Sequence, residues 1–128
     1  MAYLLDTHAL VWWWLQDPKL SAKAQEAIGS RAARVFVSPI SAFEIALKIR
    51  HGRLPEMDEP LRQFEQAIEA DGMTHLPVRQ DHCRTAGLME GAHRDPFGRL
   101  IAAQGLTDGL IVITRDPQFA AFGCETLW

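Results

Sequence analysis

Short apolar segments alternate with helix-forming segments along this chain of 128 residues. The strand candidates are AYLL (2–5), RVFVS (34–38), THLPV (74–78), GLIVIT (109–114) and CETL (124–127). AYLL, RVFVS and GLIVIT are apolar over most of their length. Continuous apolar runs are typical of parallel strands covered on both faces. Alternation of strands and helices favours such a sheet between two helical layers. We therefore expect a single α/β domain over residues 1–128, with three α/β/α layers around a short parallel central sheet.

Local capping signals place helices between these strands. A helix follows Asp6 and Thr7 directly and is ended by Pro18. Asp95 before Pro96 is typical of an N-cap and first helical residue, because proline lacks only an N–H that would stay unpaired there. The other helices are expected over residues 21–33 with Ser21 as cap, 38–52 with Ser41 as cap and Gly52 at the end, 58–72, and 79–90.

The composition sets bounds on the class of protein. The net charge is −3, from 13 basic and 16 acidic residues, whereas a nucleic-acid-binding protein is more often clearly basic. Acids gathered in a metal site would lower such a total, so a nucleic-acid substrate is not excluded. The two cysteines lie far apart and match no metal spacing, which favours a reducing compartment. With neither a membrane span nor a signal peptide predicted, we expect the cytoplasm.

Four acids are expected at one edge of the sheet. Asp6 comes directly after the first strand, and Asp116 follows the strand GLIVIT. Glu44 and Asp95 are expected in the first turns of helices that leave the same edge, where ligands bind in open α/β sheets. Carboxylates at this density need a compensating cation, and Mg²⁺ or Mn²⁺ prefers such oxygen ligands. The chemistry that suits this site is attack of a metal-activated water on a phosphodiester.

Three of these acids also have structural explanations. Glu44 stands three residues after Ser41, as in a capping box. Asp95 is an ordinary helix cap, and Asp116 before a proline is a plausible turn former. Asp6 is the hardest to explain in this way, since a carboxylate directly after a buried strand gains little. The interpretation as a site rests on their common placement.

Four segments together resemble a known family. LLDTHALVWWW, SPISAFEIALKIRHGRL, HRDPFGRLIAAQ and IVITRDPQF follow one another in the order and spacing of PIN domains. More narrowly, the chain resembles the VapC toxins of bacterial VapBC toxin–antitoxin pairs. This resemblance implies a Rossmann-like PIN fold and a Mg²⁺- or Mn²⁺-dependent RNA endonuclease, usually a homodimer. It also implies a VapB-type antitoxin, whose tail enters the active-site groove and whose other domain binds operator DNA.

The resemblance also assigns site residues. Asp6, Glu44 and Asp116 match the first, second and fourth acids of the family, and Thr114 matches a frequent supporting hydroxyl. We expect Asp6, Glu44, Asp95 and Asp116 to be catalytic, with Asp6 and Asp95 as metal ligands.

The third acid departs from the family pattern. Relatives of this subgroup read DPFD where this chain reads DPFG, so Asp95 matches the first acid and Gly98 replaces the second. Three residues separate the two positions, so they are neighbours at the start of one helix. This substitution leaves a second interpretation open, in which the chain is a catalytically weakened PIN-like module that acts mainly in antitoxin and operator complexes.

Basic and aromatic residues surround these acids. Arg94 and Arg99 flank the DPFG turn and are expected to support the site by holding phosphates, with Lys48 as a weaker candidate. Trp12, Trp13 and Trp14 fan over about 200° of a helix, so one core face cannot bury all three. We expect at least one of them to meet a groove, a second subunit or the antitoxin, with base stacking on RNA as an alternative. An aspartyl-phosphatase is disfavoured, because His8 stands where its second acid would be.

Overall fold

The computed structural model of the protein describes residues 1–91 and 95–128. Its centre is a five-stranded sheet in the order β3-β2-β1-β4-β5, in which every neighbouring pair is parallel. The strands are β1 (Ala2–Leu5), β2 (Arg34–Val37), β3 (Thr74–His75), β4 (Ile111–Ile113) and β5 (Thr126–Leu127). The chain builds outward from β1 to β3 and then returns to the other side of β1, so the strand order reverses between β1 and β4.

Helices cover both faces of the sheet. They are α1 (Thr7–Leu15), α2 (Ala22–Gly29), α3 (Pro39–Arg50), α4 (Asp58–Arg62), α5 (Phe64–Ala70), α6 (Gln80–Leu88), α7 (Pro96–Asp108) and α8 (Pro117–Ala121), with a 3₁₀ turn at Pro55–Met57. The expected three-layer α/β/α architecture with a short parallel sheet is therefore confirmed. None of the helices within the described ranges is long and apolar enough to cross a membrane.

The side chains of β1 alternate between two apolar cores. Tyr3 and Leu5 belong to the core that includes residues of α1, α2, α3 and α5, whereas Leu4 belongs to the core formed with α7 and α8. All three residues are buried, and Leu4 and Leu5 are completely inaccessible. This two-sided burial explains why the strand is apolar at successive positions.

A polar cluster joins α6 to α7. The guanidinium of Arg79 donates to both carboxylate oxygens of Asp108, at 2.7 and 3.2 Å. The buried His82 accepts a hydrogen bond at Nδ1 from the backbone N–H of Arg79, which leaves Nε2 to carry the proton donated to Asp108 at 3.2 Å. Arg79 also pairs with Asp81, and its guanidinium lowers the pKa of both Asp108 and Asp81.

Two details of the expected helices are wrong. Ser38, not Ser41, caps α3: its hydroxyl accepts from the N–H of Ile40, and Pro39 takes the first helical position, where no N–H is needed. Glu44 is consequently the sixth residue of α3 and lies in its second turn. The helix expected over residues 58–72 is divided into α4 and α5, because Gln63 adopts φ −114° and ψ 34° between them.

Candidate active site

Asp6 is held at the junction of the two central strands. It follows β1, and its backbone N–H donates to Ile113 O of β4 at 3.2 Å. Thr114 Oγ1 donates to Asp6 Oδ2, and the N–H of Ala9 donates to Oδ1 at 2.8 Å. Asp6 therefore caps α1 while its second oxygen is fixed from β4. The parallel pairing of β1 and β4 is what brings positions 6 and 114 together.

Asp6 is only 5% exposed, and this burial has the largest effect on the pKa of its carboxyl group. Desolvation raises the pKa of Asp6, and the hydrogen bonds from Thr114 and Ala9 oppose this shift without cancelling it. The negative charge of Glu44 raises the pKa of Asp6 further. A cation bound beside Asp6 would favour its ionised form again.

Glu44 approaches the same region from α3. A buried hydrogen bond between Thr7 Oγ1 and Ser41 Oγ, at 3.0 Å, joins the first turn of α1 to the first turn of α3. Glu44 also forms an ion pair with Lys48, with Nζ 3.5 Å from Oε2, and Nζ lies 3.4 Å from His8 Nε2. The Thr7–Ser41 bond has no signal in the sequence, where the pattern around Ser41 predicts a helix cap instead.

Asp95 and Asp116 begin helices at the pocket. Asp95 Oδ1 accepts from the N–H of Phe97 at 3.0 Å, and Asp116 Oδ1 accepts from the N–H of Gln118 at 2.9 Å. The N–H of Asp116 donates to Thr114 Oγ1 at 3.0 Å, so this hydroxyl bridges two of the acids. Asp95 is therefore the helix cap that the sequence predicts, and Asp116 caps α8 where a turn was expected. The capping box expected for Glu44 is wrong, because Ser38 and not Ser41 caps α3. Capping and membership of a site are compatible.

One small pocket gathers all of these acids. It is lined by Asp6, Glu44, Asp95 and Asp116 together with Thr7, His8, Gly98, Ile101 and Phe119. Gly98 is the third residue of α7 and is buried in the pocket wall, so α7 contributes Asp95 as its acid there. Within residues 1–91 and 95–128, no three Asp, Glu, His or Cys side chains stand close enough together to enclose a metal ion.

Of the two arginines expected to support the site, the structure describes only Arg99, and Arg99 lies away from the pocket that the acids line. Arg99 does not line the pocket: its guanidinium donates to Ala86 O at 3.0 Å and to Met89 O, and it lies 5.4 Å from the ring of Phe122. These contacts tie the start of α7 to the end of α6. Arg94 lies outside the described residues. The phosphate-holding role of both arginines stays a prediction.

The three tryptophans divide between two surroundings. Trp13 and Trp14 both donate from Nε1 to Asp71 Oδ2, at 3.0 and 2.9 Å. Trp12 instead lies on the side of the acids, with its ring 4.6 Å from the guanidinium carbon of Arg115 and 5.5 Å from the ring of His8. All three are only partly buried, which confirms that one core face cannot bury them together.

Comparison with known proteins gives matches over nearly the whole chain. A family model described as the PIN domain matches residues 3–123. Ribonuclease VapC22 of Mycobacterium tuberculosis is 30% identical over 114 residues, which are 88% of this chain and 85% of that protein. This match covers enough of both chains to identify the family.

Solved structures share the fold at low sequence identity. A chain of VapBC2 from Rickettsia felis, bound to a promoter DNA fragment, superposes with a TM-score of 0.72 at 14% identity, covering 99% of this chain and 98% of that one. VapBC-1 from nontypeable Haemophilus influenzae gives a TM-score of 0.65 at 17% identity, covering 99% and 97%. The chain therefore belongs to the PIN domain family and, within it, to the VapC type of toxin.

Proposed function

We propose that this chain is the toxin of a type II toxin–antitoxin pair and cleaves RNA as a Mg²⁺- or Mn²⁺-dependent endonuclease. The observation that carries the proposal is the pocket at the carboxyl edge of the sheet, which four carboxylates from four separate segments line in a VapC-type chain. The pocket lies where β1 and β4 meet and the strand order reverses, which is the usual ligand position in such sheets.

The donor set fits a hard divalent cation. Mg²⁺ is usually held by one or two carboxylates together with water and substrate phosphate, so an enclosing cluster of three protein ligands is not required. Asp6 and Asp95 are the residues that we propose as its ligands, and burial of Asp6 makes a neighbouring positive charge favourable. When bound, the ion supplies positive charge at the scissile phosphate and activates water for attack.

The surrounding residues orient the acids for this reaction. Hydrogen bonds from Thr114 and Ala9 hold the two oxygens of Asp6 in place. The carboxylate is therefore already oriented when a cation binds beside it. Lys48 holds Glu44 at the pocket by their ion pair. We propose Glu44 and Asp116, which line the pocket, as the general bases that accept the proton lost by the attacking water.

The partners follow from the family. The solved neighbours include VapBC complexes, one of them bound to a fragment of its promoter DNA. We propose a VapB-type antitoxin for this chain, contact with operator DNA only through that antitoxin, a homodimeric toxin and a cytoplasmic location.

Gly98 favours a second candidate function. The buried wall of the pocket holds Gly98 where the resemblance to VapC toxins implies an acid, and Asp95 is the acid that α7 contributes to the pocket. A chain with one carboxylate fewer would bind the ion more weakly. In this alternative the protein acts mainly by forming complexes with antitoxin and operator, and RNA cleavage is slow.

Cleavage of RNA tests the proposal. Purified chain is incubated with tRNA, rRNA and mRNA in Mg²⁺ or Mn²⁺, with and without EDTA, beside Asp6→Asn and the exposed control Asp58→Asn of α4. We expect cleavage by the wild type and by Asp58→Asn, and its loss with EDTA or in Asp6→Asn. Equal cleavage by Asp6→Asn would contradict the catalytic proposal. No cleavage by the wild type, with antitoxin binding kept, would favour the alternative.

A further inference from the structure

A second cavity continues the acid pocket along the surface. It has a volume of about 320 Å³ and is lined by Asp6, His8, Trp12, Arg115, Asp116 and Pro117. Asp6, His8 and Asp116 also line the acid pocket, so the two spaces meet at these residues. A ligand whose reacting group reached the acids from this side would lie against Trp12 and Arg115.

An indole and a guanidinium are among the groups that line this cavity. The guanidinium carbon of Arg115 lies 4.6 Å from the centre of the Trp12 ring, and the ammonium of Lys19 lies 5.8 Å from it. In the part of the chain that the structure describes, no carboxylate forms an ion pair with Arg115. Arg115 is exposed and directly precedes Asp116, so its positive charge borders the acids without being neutralised by them.

We propose that Trp12 and Arg115 form a subsite for one nucleotide of single-stranded RNA, next to the phosphate that is cleaved. Bases of any sequence stack on aromatic rings and on guanidinium planes, and a guanidinium binds phosphate. This inference rests on the proposed ribonuclease function and names where the substrate continues beyond the acids. It also assigns a role to one tryptophan of the WWW run, which the catalytic chemistry does not use.

The charges at the subsite favour RNA over a peptide. Arg115 and Lys19 both lie near the Trp12 ring, and they would repel a basic peptide segment. A carboxylate side chain of an acidic peptide could pair with Arg115 but would bring no planar ring to Trp12. A nucleotide places an uncharged base on the ring and a phosphate at the cation.

Arg115→Gln carries the test, because it changes an exposed side chain. Arg34→Gln is its matched control, since Arg34 also lies over a ring, 5.1 Å from Phe36, but at the start of β2 and thus at the opposite edge of the sheet. Both changes are made in the cleavage-inactive Asp6→Asn background. Binding of a fluorescein-labelled ten-nucleotide RNA of mixed sequence is then followed by anisotropy over a range of salt concentrations.

We expect Arg115→Gln to reduce the slope of log affinity against log salt by about 0.7, the value for one phosphate contact on a single strand. Arg34→Gln should leave the slope unchanged. Trp12→Leu should weaken RNA binding by roughly 5- to 100-fold, the range for loss of one stacked base, but should not weaken binding of an abasic oligomer of equal length. Thermal unfolding of each variant reports whether Trp12→Leu is folded. If it is not, the salt slope of Arg115→Gln alone tests the subsite.

Cleavage kinetics separate this inference from the proposed function. In otherwise wild-type protein, Arg115→Gln should raise KM and leave kcat nearly unchanged. If RNA is cleaved but Arg115→Gln matches Arg34→Gln in both salt slope and KM, the subsite is wrong and the ribonuclease stands. Loss of antitoxin binding by Arg115→Gln, with RNA binding unchanged, would also overturn the subsite. Absence of any cleavage would count against the ribonuclease itself.

Discussion

Thr7 Oγ1 and Ser41 Oγ lie 3.0 Å apart in a buried hydrogen bond that joins the first turns of α1 and α3. Thr7 follows Asp6, and Ser41 stands one turn before Glu44 on α3. The bond therefore fixes the relative position of two segments that each carry an acid of the pocket. It contributes to the geometry of the site without belonging to its chemistry.

This hydrogen bond predicts a non-additive pair of substitutions. Thr7→Val or Ser41→Ala alone leaves a buried hydroxyl without its partner, which should lower the free energy of unfolding by about 1–3 kcal/mol. The double variant leaves neither hydroxyl and should lose less than the sum of the two. Urea unfolding of the four proteins measures the difference. Strict additivity would show that the two hydroxyls do not interact.

Asp6→Asn should change how the stability of the protein depends on pH when divalent ions are removed. Burial raises the pKa of Asp6 above its ordinary value of 3.8, so the folded state binds a proton more tightly than the unfolded state. The stability of the wild type relative to Asp6→Asn should therefore fall as pH rises through the pKa of the folded state. Urea unfolding in EDTA between pH 4 and pH 8 measures this trend.

Adding Mg²⁺ should stabilise the wild type more than Asp6→Asn. Binding to the folded state alone raises the free energy of unfolding of the wild type. Asp6→Asn should gain little, because its amide carries no charge. An equal gain in stability by the wild type and Asp6→Asn would place the ion elsewhere.

Gly98→Asp should strengthen ion binding and RNA cleavage. The new carboxylate would stand at the third position of α7, in the pocket wall. A carboxylate about 4 Å from a cation contributes on the order of 1 to 4 kcal/mol, so Mn²⁺ affinity should rise at least about fivefold. Gly98→Asn, of the same size but uncharged, is the control for helix propensity and shape. If both variants bind Mn²⁺ with the affinity of the wild type, a carboxylate at position 98 does not contribute to the ion site.

The Arg79–Asp108 pair should make the protein sensitive to acid. The guanidinium of Arg79 lowers the pKa of Asp108 below 3.8 in the folded protein. The pair therefore stabilises the fold fully at pH values above the pKa of Asp108 in the unfolded chain. This stabilisation is lost as the pH falls through the pKa of Asp108 in the folded protein. Asp108→Asn should thus be less stable than the wild type at pH 7, and the difference should shrink below about pH 4. Thermal unfolding over this range is the measurement. Asp81→Asn, which removes the more exposed partner of Arg79, should change stability less. A difference between wild type and Asp108→Asn that does not vary with pH would contradict the account.

The sequence predicted the sheet and the placement of the acids because both depend on local signals. Continuous apolar runs mark strands that are buried on both faces, and Asp95-Pro96 marks the start of α7. Parallel strands end at the same edge, so the acids that follow β1 and β4 were expected to meet. The pocket lined by Asp6 and Asp116 agrees with that expectation.

The parts that the sequence did not predict depend on contacts between distant segments. The cap of α3 is an exception, because Pro39 at the first helical position is a local signal for Ser38. The contact that leaves Ser41 bonded to Thr7 has no such signal. The amphipathic pattern over residues 58–72 does not reveal the break at Gln63, because Leu61, Phe64 and Ile68 keep helical spacing across it. Trp12 could be separated from Trp13 and Trp14 only once the positions of Asp71 and Arg115 were known.

Titration of Mn²⁺ into single-carboxylate variants tests most directly whether the four acids act as one site. Isothermal titration calorimetry compares the wild type with Asp6→Asn, Glu44→Gln, Asp95→Asn and Asp116→Asn, and with the exposed control Glu69→Gln. Asparagine caps helices about as well as aspartate, so the changes at 95 and 116 remove charge while keeping the caps. We predict that Asp6→Asn and Asp95→Asn each lower the affinity at least about tenfold, a loss of ~1.4 kcal/mol. Glu44→Gln and Asp116→Asn should also weaken binding, and Glu69→Gln should not. Unchanged affinity in Asp6→Asn, or equal weakening in Glu69→Gln, would contradict the site.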